Sequence, residues 1–215
     1  MRQWILVRHG ETDWNSTGRM QGQTDVPLND LGRAQIQALA RYLANTPIDA
    51  ILTSDLGRSR ETAEAIAAYH HGLAVQPDPR LREISMGQWE GWTSDEISAK
   101  NPVEAERRRA DPTHYAPPGG ESSGDLAIRL RSLMEELERR DNQTIVLSSH
   151  GMALRVLICL ALDIPVDRAN NMWLENASIS TLITHKGRIV LATLNDTSHL
   201  NGLRSGDGAP RPSVQ

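Results

Sequence analysis

Two histidines follow apolar stretches of the chain closely. The stretch at residues 4–7 is followed by Arg8 and His9, and the stretch at residues 145–147 leads through two serines to His150. Neutral imidazole is a nucleophile at about pH 7, and guanidinium groups bind the oxygens of anions. A histidine beside cationic groups therefore suits attack on a group with several negative charges, most simply a phosphoryl group.

Strands and helices alternate along the chain, which is typical of a parallel α/β sheet. Buried strands are expected at residues 4–8, 49–55 and 144–151, and two later strands at 178–184 and 188–194. Amphipathic helices are expected after Asn29 or Asp30, and at 57–71, 124–139 and 152–162. We therefore predict a three-layer α/β fold, with a mostly parallel central sheet flanked by helices.

One domain accounts for residues 1–200, because a chain of 215 residues suits a single sizeable core. Residues 85–120 are irregular and rich in proline, and we interpret them as a lid insertion with short helices near 93–100 and 102–110. The tail at 201–215 is rich in Gly, Pro and Ser and is expected to be disordered. A homodimer that pairs through an edge strand near residue 75 or through the late strands is compatible with the pattern.

The predicted sheet brings the reactive side chains to one edge, because ligands bind at the carboxyl ends of parallel strands. Arg8 and His9 lie at the end of the first strand, Arg58 just past the second and His150 at the end of the third. If these strands are neighbours, one imidazole can attack phosphorus while the arginines and a second, protonated histidine hold the phosphoryl oxygens. A metal site built from both histidines is an alternative that we disfavour, because the arginines would repel a dication.

The overall composition excludes several function classes. The formal net charge of −4 argues against a broad basic surface for nucleic acid or an anionic membrane. The lone cysteine, Cys159, cannot form a disulfide within the chain. The chain has no run of about 18 apolar residues, and its first residues lack the apolar core of a signal peptide. We therefore expect a cytoplasmic protein with no nucleic-acid or membrane partner.

Four segments, in order, resemble the histidine phosphatase superfamily in its phosphoglycerate-mutase-like branch. They read VRHGETDWN at 7–15, SDLGRSRETA at 54–63, LREISMGQWEG at 81–91 and SSHG at 148–151. The resemblance extends over residues 4–195. It implies that His9 becomes phosphorylated, and that Glu83 protonates the leaving oxygen and then takes a proton from the attacking water.

The resemblance also implies which residues hold the substrate. Those implied to hold the phosphoryl group are Arg8, Arg58 and His150. Those implied to line the pocket, or to reach the phosphate with a hydrogen-bond donor, are Asn15, Gln21, Gly22 and the backbone N–H of Gly151. No metal and no cofactor is implied, and the expected partner is a small phosphorylated substrate.

The segment after Glu83 separates two activities of this family. Residues 84–92 read ISMGQWEGW, which resembles the small broad-specificity and α-ribazole phosphatases rather than the mutases. We therefore predict a phosphomonoester hydrolase. A cofactor-dependent phosphoglycerate mutase and a non-catalytic phospho-ligand binder are the alternatives.

Two features are left open. The arginine run at 107–109 fits a solvated helix face, or a lid that meets other charges of the substrate. Glu121 either helps to shape the site or simply precedes two serines that can cap a helix.

Overall fold

A six-stranded sheet forms the centre of the computed structural model, which describes residues 2–141 and 143–203. Its strands are β1 (Gln3–Arg8), β2 (Ala50–Thr53), β3 (Val75–Pro77), β4 (Thr144–Ser149), β5 (Ile179–His185) and β6 (Arg188–Asp196). Their order across the sheet is β3-β2-β4-β1-β5-β6. The first four strands in this order pair in parallel, whereas β5 pairs antiparallel with both β1 and β6.

Helices cover both faces of the sheet. They are α1 (Asp13–Ser16), α2 (Asp30–Leu43), α3 (Gly57–Ala67), α4 (Ser94–Lys100), α5 (Pro102–Ala110), α6 (Ser123–Arg139) and α7 (Gly151–Ala161). Alternate residues of a strand point to opposite faces, so Ile5 and Val7 pack with α2 and α3, and Trp4 and Leu6 pack with α6 and α7. The predicted three-layer, mostly parallel α/β fold is confirmed.

Local signals explain where the elements begin and end. The side chain of Asn29 caps α2 by accepting a hydrogen bond from the backbone N–H of Gly32. Strand β4 ends at Ser149, two residues before the predicted end, because His150 becomes the N-cap residue of α7. Helix α3 ends at Ala67 rather than at residue 71, because the chain turns there and reaches a left-handed φ of 82° at Gly72.

The segment predicted as a lid contains α4 and α5, with bounds close to the expected ones. Buried Ile97 and Ala105 tie these two helices to the core on the α6 and α7 side of the sheet. The short helix α1 was not predicted and lies inside the first sequence motif. None of the helices described is long and apolar enough to cross a membrane.

The two ends of the sheet are formed by β3 and β6, the strands expected to be available for pairing with a second copy. A homodimer stays a prediction. Within the predicted tail, Leu203 packs beside the α2 layer, and its carbonyl accepts a hydrogen bond from Gln35 at 3.0 Å. The rest of that prediction, residues 204–215, lies outside the described residues.

Candidate active site

The ends of β1 and β4 bring the two predicted histidines together. These strands are neighbours, with Arg8 opposite Ser149, so His9 and His150 leave the sheet side by side. The backbone N–H of His9 donates to the Ser149 carbonyl at 3.0 Å. The two imidazole rings have centroids 5.0 Å apart and planes tilted by 59°. The predicted convergence of these strand ends is therefore present.

The ring of His9 is held in one tautomer. Its Nδ1 lies 2.6 Å from the Gly10 carbonyl oxygen, which can only accept, so Nδ1 carries the hydrogen. Its Nε2 keeps the lone pair and accepts from Nε of Arg58 at 3.3 Å. Burial, with Arg58 and Arg8 adding repulsion, lowers the pKa of His9 well below its ordinary value. A neutral imidazole, the nucleophilic form, is the consequence.

Gly10 is required by close packing. A Cβ atom at this position would lie 2.6 Å from the Gly32 carbonyl oxygen in α2 and 2.8 Å from a methyl carbon of Ile36. The first turn of α2 therefore approaches the main chain that holds Nδ1 of His9. This approach fixes the carbonyl that orients the ring.

Arg58 lies in the first turn of α3 and is fully buried. Its Nη1 and Nη2 donate to the carbonyls of Thr24 and Gly22, each at 2.8 Å, which aims Nε at His9. Burial lowers the pKa of Arg58, although Glu83 opposes the shift. Gly22 has a left-handed φ of 52°, and a Cβ there would meet the carboxylate of Glu90 at 2.1 Å. The loop that contains Gly22 thus places two of its carbonyls against the guanidinium of Arg58.

Arg8 is held on the other side of the site. Its Nη1 donates to the Leu174 carbonyl at 2.5 Å, and its buried Nε has no hydrogen-bond partner among the described residues. Burial lowers its pKa to about 10, with Glu83 opposing the shift. Arg8 thus keeps a charged donor free for a ligand.

His150 departs from its predicted state. It is fully buried, and neither ring nitrogen has a hydrogen-bond partner among the described residues. Burial lowers its pKa well below the ordinary value, and Arg58, His9 and Arg8 lower it further. The structure favours a neutral His150 instead of the protonated one expected from the sequence. A phosphoryl dianion beside it would favour protonation.

Glu83 lies at the N-terminus of α7. Its carboxylate accepts hydrogen bonds from the backbone N–H groups of Ile84, Met152 and Ala153, at 2.9, 3.1 and 3.0 Å. A Cβ atom on Gly151 would lie 3.6 Å from Nε of Arg8 and 3.9 Å from Oε2 of Glu83. The helix N-terminus stabilises an anion here, and it places Gly151 between the arginine and the carboxylate.

Most of the predicted residues line one cavity of about 440 Å³. Those in its wall are Arg8, His9, Asn15, Gln21, Gly22, Arg58 and Glu83. His150 and Gly151 do not form part of the wall, although both adjoin residues that do. Among the described residues of the wall, Glu83 is the only carboxylate. No three His, Cys, Asp or Glu side chains in the described ranges are grouped so that they could hold a metal ion.

The three arginines of the run in α5 have different partners in the structure. Arg107 pairs with Glu104 at 3.3 Å and Arg109 with Glu106 at 2.8 Å. Arg108 faces the cavity, and its buried Nη1 has no partner among the described residues. Burial lowers the pKa of Arg108. Arg108 and Arg109 therefore both line the cavity, but of these two only Arg109 is held in a surface ion pair, as Arg107 is outside the wall.

Two asparagines connect the loops around the nucleophile. Asn15 uses its Oδ1 to accept from Thr12 and from Asn176, which leaves its amide N–H groups available to a ligand. Asn176 was missed by the sequence reasoning. Its Nδ2 lies 3.1 Å from the His9 carbonyl oxygen and 3.3 Å from that of Gly10. Asn176 therefore fixes the main chain at His9 and Gly10, including the carbonyl that orients the His9 ring.

Other residues of the cavity wall carried no signal in the sequence motifs. They include Arg19, Met20, Ser94, Ser98, Arg155 and Asn170. Arg19 has an ion-pair partner, Glu96, at 3.0 Å. Ser94 and Ser98 lie on α4 and Arg155 on α7, so part of this wall depends on how these helices face the cavity.

The chain is similar to proteins of one enzyme family. A family model described as "Histidine phosphatase superfamily (branch 1)" matches residues 4–197. "Phosphoserine phosphatase 1" of Hydrogenobacter thermophilus is 35% identical over 91% of this chain and 93% of that protein. "Probable phosphoglycerate mutase GpmB" of Erwinia tasmaniensis is 39% identical, covering 93% of this chain and 95% of that one.

Solved structures agree with this assignment. The structure of a mycobacterial glucosyl-3-phosphoglycerate phosphatase in complex with VO3 is 37% identical and superimposes with a TM-score of 0.83. It covers 92% of this chain and 100% of that chain. The chain therefore belongs to branch 1 of the histidine phosphatase superfamily.

Proposed function

We propose that this protein is a phosphoric monoester hydrolase that acts on a small phosphorylated metabolite through a phosphohistidine at His9. The observation that carries the proposal is the state of His9. Burial and the cations of Arg58 and Arg8 lower its pKa and favour the neutral ring, its hydrogen is on Nδ1, and the lone pair of Nε2 accepts from Arg58. The relatives named as phosphoserine phosphatase and glucosyl-3-phosphoglycerate phosphatase support hydrolysis.

The first step transfers the phosphoryl group to the enzyme. The lone pair of His9 Nε2 forms a bond to phosphorus as the bond from phosphorus to the leaving oxygen breaks. That oxygen takes the proton of Glu83 and departs as an alcohol, while Nδ1 of His9 keeps its hydrogen bond to the Gly10 carbonyl.

The second step releases phosphate. Glu83, now a carboxylate, takes a proton from water, and the water oxygen bonds to phosphorus as the N–P bond breaks. The electron pair returns to Nε2 of His9, and Glu83 is protonated again. Arg8, Arg58 and the amide of Asn15 donate to the phosphoryl oxygens in both steps, and protonation of His150 in the complex adds a further donor.

The phosphoryl group fills only part of the cavity. The cavity wall also contains Arg108, which has no ion-pair partner in the described part of the chain. The substrates in the names of two relatives, phosphoserine and glucosyl-3-phosphoglycerate, each have a carboxylate besides the phosphate. We therefore expect the substrate to be a phosphomonoester of a small acid, and a cytoplasmic location suits such a metabolite.

Phosphoglycerate mutase activity is the less favoured alternative. The similarity to a relative named as a probable phosphoglycerate mutase supports this alternative. A mutase must shield its phosphohistidine from water, and it needs a bisphosphorylated primer. If the protein converts 3-phosphoglycerate to 2-phosphoglycerate with primer much faster than it releases phosphate, hydrolysis is the wrong assignment.

A panel of phosphorylated metabolites, with and without a carboxylate, tests the function by phosphate release in the presence of a chelator. We expect turnover, and an acid-labile, base-stable phosphoprotein after a brief quench. His9→Ala should lower kcat/KM by about 10⁴-fold or more, because the nucleophile is lost. His71→Gln, at an exposed position outside the cavity, is the matched control. Inactivation by the chelator would contradict the proposal and point to a metal enzyme.

A further inference from the structure

The segment that contains Glu83 has no regular secondary structure of its own. It lies between short 3-10 helices at Pro79–Leu81 and Gly87–Trp89. The carboxylate of Glu83 is held by N–H groups, but these contacts fix it only if the main chain of Glu83 is itself held in place. Other groups must therefore position this main chain.

Arg129 supplies most of those groups. It projects from α6 and is largely buried, with a side chain 18% exposed. Its Nη1 donates to the carbonyls of Arg80 and Arg82 at 2.7 and 2.8 Å, and its Nη2 donates to the carbonyl of Glu83 at 2.9 Å. One guanidinium thus bonds to three carbonyls, including that of Glu83 itself.

Glu121 completes the arrangement from the residue before the N-cap of α6. Its carboxylate accepts from Nε and Nη2 of Arg129, at 3.0 and 2.9 Å. Its Oε2 also accepts from the backbone N–H of Ser85 at 2.9 Å, and its own N–H donates to the Ser85 carbonyl at 2.9 Å. The Glu121–Arg129 pair therefore holds the main chain before and after Glu83.

We propose that the Glu121–Arg129 pair positions Glu83 for proton transfer to the leaving oxygen. The inference rests on the proposed function, in which Glu83 is the acid. A fork of five N–H groups can hold several carbonyls and a carboxylate in one plane, which a lysine cannot do. Glu121 keeps the guanidinium oriented and adds its own bond to Ser85. Neither residue lines the cavity, so each acts through Glu83.

The leaving group distinguishes positioning from simple structural support. An alkoxide is strongly basic and needs the proton of Glu83, whereas a nitrophenolate departs with little help. Misplacement of Glu83 should therefore lower kcat/KM for an alkyl phosphate much more than for 4-nitrophenyl phosphate. A general loss of folded protein lowers both values equally, so their ratio does not depend on the folded fraction.

The experiment compares kcat/KM for phosphoserine and for 4-nitrophenyl phosphate in the full chain. In Glu83→Gln, the ratio of the first value to the second should fall by about 10²–10⁴-fold. In Arg129→Lys and Glu121→Gln it should fall by about 10–10²-fold, since a small misplacement of a catalytic group has effects of this size. Arg140→Lys is the matched control, because Arg140 also belongs to a partly buried ion pair, with Glu136, but does not bond to the segment around Glu83.

The outcomes separate this inference from the proposed function. If Arg129→Lys and Glu121→Gln keep the wild-type ratio while Glu83→Gln lowers it, the positioning role is refuted and the proposed function stands. If Glu83→Gln also keeps the ratio, or the wild-type protein forms no phosphohistidine, the proposed mechanism fails and the inference fails with it. If Arg129→Lys does not fold, Glu121→Gln, which keeps the size of the side chain, decides the result.

Discussion

Mild acidification, through the ordinary pKa of histidine, should destabilise this protein. The cause is the pair of buried histidines, His9 and His150, whose pKa values burial and neighbouring arginines lower well below the ordinary value. In the unfolded chain both histidines titrate normally. As the pH falls through the ordinary pKa of histidine, the unfolded chain binds protons that the folded protein does not, and the free energy of unfolding decreases.

The size of the effect follows from this linkage. A histidine that stays neutral when folded, and has a pKa of about 6.5 when unfolded, contributes a loss of about 1.2 kcal/mol between about pH 7 and about pH 5.5. His9 and His150 are 3% and 0% exposed, so both should show nearly the full effect. Together they should lower the free energy of unfolding by about 2.5 kcal/mol over that interval. The half-buried His199, whose pKa is also lowered by burial, adds in the same direction.

Urea unfolding at the two pH values, in a buffer without phosphate, measures the loss. In His150→Gln the loss should be smaller than in the wild type by about 1.2 kcal/mol, because one titrating group is gone. The contribution of His199 is present in both proteins and cancels. His71→Gln is the control, since His71 is exposed and lies outside the buried site.

If the free energy of unfolding of His150→Gln falls between the two pH values by as much as that of the wild type, the reasoning is refuted. That result would mean that His150 is already charged in the folded protein, so the buried site tolerates a third cation beside Arg8 and Arg58. The comparison depends on the difference between two pH values. It is therefore insensitive to any stability that the substitution itself adds or removes.

Two substitutions test the framework around the nucleophile. Arg58→Lys should lower kcat/KM for phosphate release by about 10²–10³-fold, because an ammonium cannot bond to both loop carbonyls and still face His9; a loss below tenfold would contradict this. Gly10→Ala should lower the free energy of unfolding in urea by about 1–3 kcal/mol, because the new methyl would meet the Gly32 carbonyl at 2.6 Å. An unchanged unfolding midpoint would show that α2 can move away.

The elements that could be predicted are those with local signals. The bounds of α4 and α5 were close to correct, because Thr93 forms a capping box with Glu96 and Pro102 starts the next helix. Helix α1 was missed because four residues, Asp13–Ser16, are too few to show a helical period. The parallel sheet followed from apolar strands that alternate with amphipathic helices, which is a pattern over the whole chain.

The charge of His150 and the role of Arg108 could not be predicted, because both depend on distant elements. The sequence predicted a second, protonated histidine at the phosphoryl oxygens, but without a ligand burial and cations from β1 and α3 lower the pKa of His150. In the run at 107–109, Arg107 and Arg109 each follow a glutamate by three residues and pair with it, whereas Arg108 follows Ala105. That Arg108 and Arg109 line the cavity depends on how α5 packs against the rest of the fold, which the sequence of the run does not show.

Side chains that react with substrate are easier to recognise in a sequence than side chains that hold the reactive ones in position. The nucleophile must be an imidazole and the acid a carboxyl group, so His9 could be identified by residue type and position, and Glu83 by the resemblance of its segment to the family. Asn176 and Arg129 instead donate to main-chain carbonyls, and every residue has a carbonyl. Which carbonyls are within reach depends on the path of a loop and not on its composition. The supporting groups of this site therefore become visible only in three dimensions.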